Sequence, residues 1–184
     1  ERMFLLHGES KYIDCMERTL YNGVISGMSM DGGRFFYPNP LSSDGKYKFN
    51  ADGNTTRQPW FGCACCPSNL CRFIPSVPGY LYGVKDNNIY VNLFAGNTST
   101  IKVNGKDVVL EETTEYPWNG DIKIAVKKSG VKKANLLVRI PGWVRNQVVP
   151  SDLYKYSDAE KPAYSVTVNG KAVEADLDAN KGYL

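Results

Sequence analysis

Four of the chain's five cysteines lie within nine residues, between Cys63 and Cys71. Chance placement in a chain of 184 residues rarely produces such a cluster, which indicates that sulfur is used here. A thiol that loses its proton becomes both a nucleophile and a metal ligand. The adjacent pair Cys65 and Cys66 is therefore the candidate reactive centre.

A short helix is predicted from Pro67 to Ile74, directly after this pair. Proline suits the first helical position because its missing N–H would be unpaired there anyway, and Pro75 and Pro78 end the helix. Cys66 would then be the N-cap residue, with Cys65 just outside. The positive end of the helix dipole favours a thiolate at this place, which lowers a thiol's pKa.

Three interpretations of the cysteines stay open on the residues alone. Buried cysteine packs as a small hydrophobe, and Cys71 inside the helix fits that description. A disulfide framework is disfavoured, because five is an odd number and neighbouring Cα atoms lie too close for an unstrained bridge. A metal shared by Cys65 and Cys66 is favoured. Zinc needs four ligands and the cluster offers at most three, so the site would be completed from outside this chain.

Five stretches, in order along nearly the whole chain, carry a family resemblance: Lys11–Gly23, Gly33–Leu41, Cys63–Asn69, Pro78–Gly83 and Ile140–Trp143. Together they resemble glycoside hydrolase family 127, the β-L-arabinofuranosidase family. The doubled cysteine followed by proline and, two residues later, asparagine is the most specific of them.

The resemblance implies an α+β fragment: the helical end of an (α/α)6 barrel followed by an antiparallel β-sandwich. We assign residues 1–83 to the barrel and residues 84–184 to the sandwich, truncated at its C-terminus. Glu1 is not an initiator methionine, and the last residues read as the start of a strand. We therefore expect a fragment, whose partner is the missing N-terminal barrel of the same protein.

The resemblance also implies a retaining glycosidase that acts on a pentofuranoside. Cys65 would be the nucleophile and a zinc ligand, Cys66 a second zinc ligand, and Tyr37 a residue near the sugar. The family's other zinc ligands, a Glu-x-Cys pair, and its acid/base glutamate would precede residue 1, so this chain alone would be inactive. Two other functions stay open, a non-catalytic carbohydrate-binding or interdomain β-sandwich and a small zinc or redox module.

Charge and hydropathy exclude some classes of partner. The 22 basic and 19 acidic residues give a net charge of +3. These charges are spread without runs, so neither a nucleic acid nor a membrane surface is indicated. No apolar stretch approaches the ~20 residues that span a bilayer.

The first residues read as the end of a helix that Gly8 closes. A second helix is predicted from Ser10, as N-cap, to about Ser26, with an apolar stripe at Ile13, Met16, Leu20 and Val24. Its polar face would hold three charged side chains, Asp14, Glu17 and Arg18.

Dense turn residues follow this helix, and two short strands of a hairpin are predicted between them, at 34–37 and 46–49. The aromatic side chains of Trp60 and Phe61 precede the cysteines. Packing beneath the loop is the preferred interpretation for both, with stacking on a sugar as the alternative.

Alternating apolar residues dominate from about Tyr82 onward and predict strands. They group as Ile89, Val91 and Leu93; Ile122, Ile124 and Val126; Leu136, Val138 and Ile140; Tyr164, Val166 and Val168; and Val173, Ala175 and Leu177. Asn-Gly pairs at 104–105, 119–120 and 169–170 predict hairpin turns with positive φ. A long loop is predicted at 146–163.

Overall fold

The computed structural model describes residues 1–158, 163–174 and 176–184. The chain is an α+β structure with two compact units. We call Met16–Pro78 the cysteine unit, and Glu1–Cys15 together with Gly79–Leu184 the strand unit. No helix among the described residues is long and apolar enough to cross a membrane.

Two helices begin the chain, α1 (Arg2–His7) and α2 (Ser10–Thr19). Gly8 ends α1 in the left-handed conformation, with φ of 65°, as predicted. The second helix is shorter than predicted, because a π turn at Leu20–Val24 and a 3-10 turn at Ile25–Gly27 replace its last turns. Asn22, Gly23 and the β-branched residues after them are poor α-helix formers, which accounts for the irregular end.

The predicted polar face of α2 is wrong for two of its three residues. Arg18 is exposed, but Glu17 is only 6% exposed. Asp14 pairs with the fully buried Arg139, whose Nη1 lies 2.6 Å from Asp14 Oδ1. A buried guanidinium needs a counter-ion, and this requirement, invisible in the helical pattern, draws Asp14 inward.

The predicted hairpin at 34–37 and 46–49 is wrong. Phe35 makes only isolated bridges, to Met28 and Gln58, and residues 46–49 contain no strand. Asp44 explains this, because its Oδ1 accepts from both Lys46 N and Tyr47 N, at 2.8 Å each. Such local side-chain bonds offer the backbone an alternative to strand pairing.

The described residues of the strand unit form eight strands. They are β1 (Tyr82–Lys85), β2 (Asn88–Val91), β3 (Asn97–Val103), β4 (Lys106–Thr114), β5 (Ile122–Ser129), β6 (Asn135–Val138), β7 (Thr167–Val168) and β8 (Lys171–Ala172). They form sheets in the orders β1-β2-β6, β3-β4-β5 and β7-β8. The β2–β6 pair is parallel, which corrects the all-antiparallel prediction. A parallel pair needs a long connection, and here that connection contains the whole β3-β4-β5 sheet.

The two three-stranded sheets share one hydrophobic core. Its buried members come from β2, β3 and β4: Ile89, Ile101, Val103, Val108 and Leu110. Inward positions alternate along β4, as expected for a sheet with one covered face.

Two of the three predicted Asn-Gly turns are confirmed. Asn104 and Gly105 have φ of 47° and 76°, and Asn169 and Gly170 have φ of 52° and 79°. The prediction of a turn with positive φ at 119–120 is wrong, because neither residue has positive φ. A longer connection joins β4 to β5 there, in which Asn119 Oδ1 accepts from Asp121 N at 2.9 Å.

The last predicted strands are only partly formed. Tyr164 and Val166 lie outside β7, Val173 and Leu177 lie outside β8, and Ala175 is not among the described residues. The predicted long loop is irregular over residues 146–158, while residues 159–162 are likewise not described. At the C-terminus, Leu184 exchanges backbone hydrogen bonds with Val138, which fits the predicted start of a strand.

Candidate functional site

The third helix, α3 (Cys65–Phe73), presents the paired cysteines. It begins two residues earlier than predicted, with Ala64 as N-cap, so Cys65 and Cys66 are its first two residues. Pro67 permits the earlier start, because the third N–H of a helix also lacks an intrahelical acceptor. The two cysteines therefore still lie at the positive end of the helix dipole.

The two sulfurs lie together and unbridged. Cys65 Sγ is 3.7 Å from Cys66 Sγ, and none of the five cysteines forms a disulfide bond. Cys65 is exposed and Cys66 is half-buried. The structure thus agrees with two adjacent thiols, as the sequence predicts, rather than with a structural disulfide.

The separation of the sulfurs fits a shared zinc ion. Two thiolates on a tetrahedral zinc with Zn–S bonds of about 2.3 Å are about 3.8 Å apart, close to the 3.7 Å between Cys65 Sγ and Cys66 Sγ. Among the described residues, no group of three or more His, Cys, Asp or Glu side chains could hold a metal. Because of the distance between their sulfurs, Cys65 and Cys66 could supply part of a zinc site.

Tyr37 meets Cys65 directly. Its hydroxyl lies 3.1 Å from Cys65 Sγ, although the two residues are 28 positions apart. The Tyr37 ring packs edge-on against Phe61, with centroids 5.5 Å apart. The sequence resemblance selected Tyr37 as a sugar contact; the contact between its phenol and the candidate nucleophile is a finding of the structure.

The hydrogen bond from Tyr37 lowers the pKa of the Cys65 thiol, and Cys66 adds to this effect. The same contact, with a further one from Cys63, raises the pKa of the Tyr37 phenol. Burial raises the pKa of Cys66. Of the two adjacent thiols, Cys65 is therefore the one that ionises first, with Tyr37 remaining a hydrogen-bond donor to it.

Cys71 is exposed, which contradicts its prediction as a buried cysteine. The covered stripe of this helix and the turn after it runs through Pro67, Leu70 and Ile74, and Cys71 falls beside it. Periodicity along so short a helix did not distinguish these neighbouring positions.

The two aromatic residues before the cysteines differ. Phe61 is buried, 4% exposed, as the packing interpretation predicts. Trp60 is 55% exposed and touches Phe35 only edge-on, with centroids 6.5 Å apart. The packing prediction is therefore confirmed for Phe61 and wrong for Trp60.

Two asparagines near the cysteines have roles that the sequence did not predict, although Asn69 belongs to the motif that carries the family resemblance. Asn69 Nδ2 donates to Cys65 O at 2.7 Å and so ties the first turn of α3. Asn50 is 3% exposed, and its Oδ1 accepts from Tyr37 N at 2.8 Å. Asn50 lies in the turn-rich sequence Asn50–Asn54, which indicates a turn but not a link to residue 37.

Two family models match the chain. Residues 1–79 match the GH127 catalytic domain of β-L-arabinofuranosidase, and residues 88–184 match its GH127 middle domain.

Individual relatives agree with these matches. A non-reducing end β-L-arabinofuranosidase of Bifidobacterium longum subsp. longum is 30% identical over 192 residues, covering 100% of this chain and 26% of that protein. A solved GH127 β-arabinofuranosidase is 58% identical with a TM-score of 0.89, covering 100% of this chain and 27% of its own. A GH127 β-L-arabinofuranosidase from Geobacillus stearothermophilus T6 is 37% identical with a TM-score of 0.75, covering 99% and 26% respectively.

The chain thus spans about a quarter of the length of these relatives. Between them, the two family models account for nearly all of it, and the paired cysteines lie in the part that matches the catalytic domain. The chain therefore belongs to glycoside hydrolase family 127, the β-L-arabinofuranosidase family.

Proposed function

We propose that this chain is the part of a retaining β-L-arabinofuranosidase that carries its nucleophile, Cys65. The observation that carries the proposal is an exposed thiol at the start of a helix with a tyrosine hydroxyl 3.1 Å from its sulfur. Dipole and hydrogen bond both favour the thiolate form. The names of the relatives supply the substrate class, a β-L-arabinofuranoside at a non-reducing end.

In a retaining reaction, the sulfur of Cys65 forms a bond to the anomeric carbon while the glycosidic C–O bond breaks. The leaving oxygen takes a proton from an acid outside this chain. Water then attacks the same carbon, gives its proton to the conjugate base of that acid, and releases the Cys65 thiolate. Tyr37 donates its hydrogen bond to the sulfur whenever the sulfur carries charge, which eases its departure.

Cys65 and Cys66 would hold zinc, in line with the separation of their sulfurs. A zinc ion, when bound, keeps a coordinating thiol deprotonated at neutral pH. We assign the remaining ligands to a Glu-x-Cys pair elsewhere in the same protein, by resemblance to the family.

We further propose that residues 1–83 complete an (α/α)6 barrel and that residues 84–184 form a β-sandwich. The division is supported by the two family models, which meet between residues 79 and 88. The sandwich is supported by two sheets that share one core. The barrel half belongs with helices outside this chain, so we expect the chain alone to be inactive.

The test is Cys65→Ser in the full-length enzyme. We expect turnover of a β-L-arabinofuranoside to be abolished while the protein still folds, because serine fits the same space but is a far weaker nucleophile at neutral pH. Cys71→Ser is the matched control, an exposed thiol on the same helix, and it should keep full activity. Substantial turnover by the Cys65→Ser enzyme would refute the assignment.

A further inference from the structure

Asn50 is a buried polar residue of the cysteine unit that uses every hydrogen-bonding group of its side chain. Its Oδ1 accepts from Tyr37 N at 2.8 Å and from Ala51 N at 3.1 Å. Its Nδ2 donates to Thr56 O at 2.9 Å and, more weakly, to Phe35 O at 3.5 Å. Only 3% of the residue is exposed.

These bonds require an amide. Two backbone N–H groups face Oδ1 and two carbonyl oxygens face Nδ2, so the side chain must accept at one end and donate at the other. An aspartate would turn an oxygen toward the carbonyls of Thr56 and Phe35, and an alanine would leave buried backbone groups unpaired. Asn50 therefore ties the segment that ends in Tyr37 to the segment around Thr56.

Tyr37 is consequently held at three points. Asn50 holds its backbone N–H, Phe61 lies edge-on to its ring, and its hydroxyl reaches Cys65 Sγ. The 3.1 Å contact with sulfur has little slack, because a hydrogen bond weakens rapidly as its atoms separate. A backbone shift of about 1 Å at Tyr37 would move the phenol out of hydrogen-bonding reach of the sulfur, and misplacements of that size lower enzymatic rates.

We propose that Asn50 is a positioning residue of the active site: it fixes the backbone of Tyr37 so that the phenol reaches Cys65. The inference rests on the proposed function for its kinetic readout. The hydrogen bonds of the Asn50 side chain go to backbone groups and not to the Cys65 sulfur or the Tyr37 ring, so Asn50 acts through the backbone of Tyr37.

A double-mutant cycle in the full-length enzyme tests this. Asn50→Ala should lower kcat by up to about tenfold, which is the loss expected from removing the Tyr37 hydroxyl itself. Tyr37→Phe keeps the ring and backbone but removes the hydroxyl that Asn50 is proposed to position. Asn50→Ala should therefore cost no more than about twofold in a Tyr37→Phe background, because residues that act through one group are non-additive.

Asn54→Ala is the matched control. Asn54 is an exposed asparagine of the same turn whose amide contacts Gln58 rather than Tyr37. We expect it to leave kcat unchanged in both backgrounds.

A second readout needs no turnover. The rate at which iodoacetamide alkylates Cys65, followed by peptide mass spectrometry, should change by the same factor in Asn50→Ala and in Tyr37→Phe, and no further in the double variant. If the wild-type enzyme cleaves no arabinofuranoside, the proposed function fails while this readout still decides the role of Asn50.

The inference would be overturned if Asn50→Ala lowered kcat by the same factor in the wild-type and Tyr37→Phe backgrounds. It would also be overturned if Asn50→Ala lowered kcat in neither background. If Asn50→Ala does not fold, Asn50→Asp is taken through the same cycle, because it turns an oxygen toward the carbonyls of Thr56 and Phe35 and so disturbs the tie between the two segments. Failure of both variants to fold would also overturn it, because Asn50 would then serve the loop as a whole rather than Tyr37.

Discussion

The interactions that stabilise the cysteine unit differ from those that stabilise the strand unit. Around the cysteines, side chains such as Asn50 and Asp44 bond to backbone that forms no ladder of strands. In the strand unit, two sheets bury a shared apolar core, and Arg139 is fully buried against Asp14. Irregular backbone lets a thiol and a phenol meet at the surface, while most of the buried apolar side chains among the described residues lie in the strand unit. Changes in the strand unit should therefore alter stability first, and changes in the cysteine unit should alter rate first.

The largest effect on stability should come from Arg139→Ala. It leaves Asp14 without its closest counter-ion and Asn92 O without its donor, and breaking a buried ion pair on one side costs about 3–5 kcal/mol. Urea unfolding of the protein measures the loss. Lys102→Ala, which breaks an exposed pair with Asp107, is the control and should cost less than about 1 kcal/mol. Similar losses in the two variants would contradict the comparison.

Leu110→Ala should follow, at about 3 kcal/mol. Leu110 is 0% exposed in the shared core of the sheets, and truncation leaves a cavity. The neighbouring Val109, half-buried on the same strand, should lose much less on truncation to alanine. The kcat per folded molecule should stay at the wild-type value. A fall in kcat without a fall in stability would contradict the distinction between the two units.

The third prediction concerns the buried carboxyl of Glu112, which lies near Tyr82 and Asn97. Burial raises its pKa from 4.5 to about 7. The folded protein therefore holds this proton where the unfolded chain releases it, and the free energy of unfolding should fall as pH rises from about 4.5 to about 7 and then level off. The full effect is on the order of 3 kcal/mol.

Glu112→Gln should remove this part of the pH dependence, measured by urea unfolding between about pH 4 and about pH 8, a range that spans the unfolded and folded pKa values of Glu112. Glu111→Gln is the control, since Glu111 is the next residue on the same strand and pairs with Lys127 at the surface. An unchanged pH profile in Glu112→Gln would show that other groups cause it.

The smallest free-energy change belongs to the cysteine unit. Tyr37→Phe should lower kcat roughly tenfold, or about 1.4 kcal/mol of activation free energy, because it removes one hydrogen bond to the Cys65 sulfur. The melting temperature should not change, since Phe61 still packs on the ring. If Tyr37→Phe lowered the melting temperature and left kcat unchanged, it would contradict the expectation that changes in the cysteine unit alter rate first.

Local signals predicted local structure well. Gly8 ends a helix, and Asn104 and Gly105 make a tight turn, because each conformation is set by one or two residues. The cysteine pair at a helix start was likewise predictable from Pro67, although the boundary moved by two residues.

Long-range contacts were beyond the sequence pattern. The inward turn of Asp14 depends on Arg139, 125 residues later, and the Tyr37 hydroxyl meets Cys65 across 28 residues. The parallel pairing of β2 with β6 similarly depends on where the chain returns after a whole sheet. Alternation predicts which residues face inward, but it says nothing of which strand lies beside which.

The late pairing of β6 with β2 has a consequence for the nascent chain. When synthesis has reached Ser129, all three strands of the β3-β4-β5 sheet have been made, and strands that pair are neighbours in sequence. The other sheet at that moment holds only β1 and β2, and the second edge of β2 stays open until Asn135–Val138 has been made. Until β6 has emerged, the nascent chain presents an unpaired edge of β2, which is the kind of surface that invites wrong pairing with another strand.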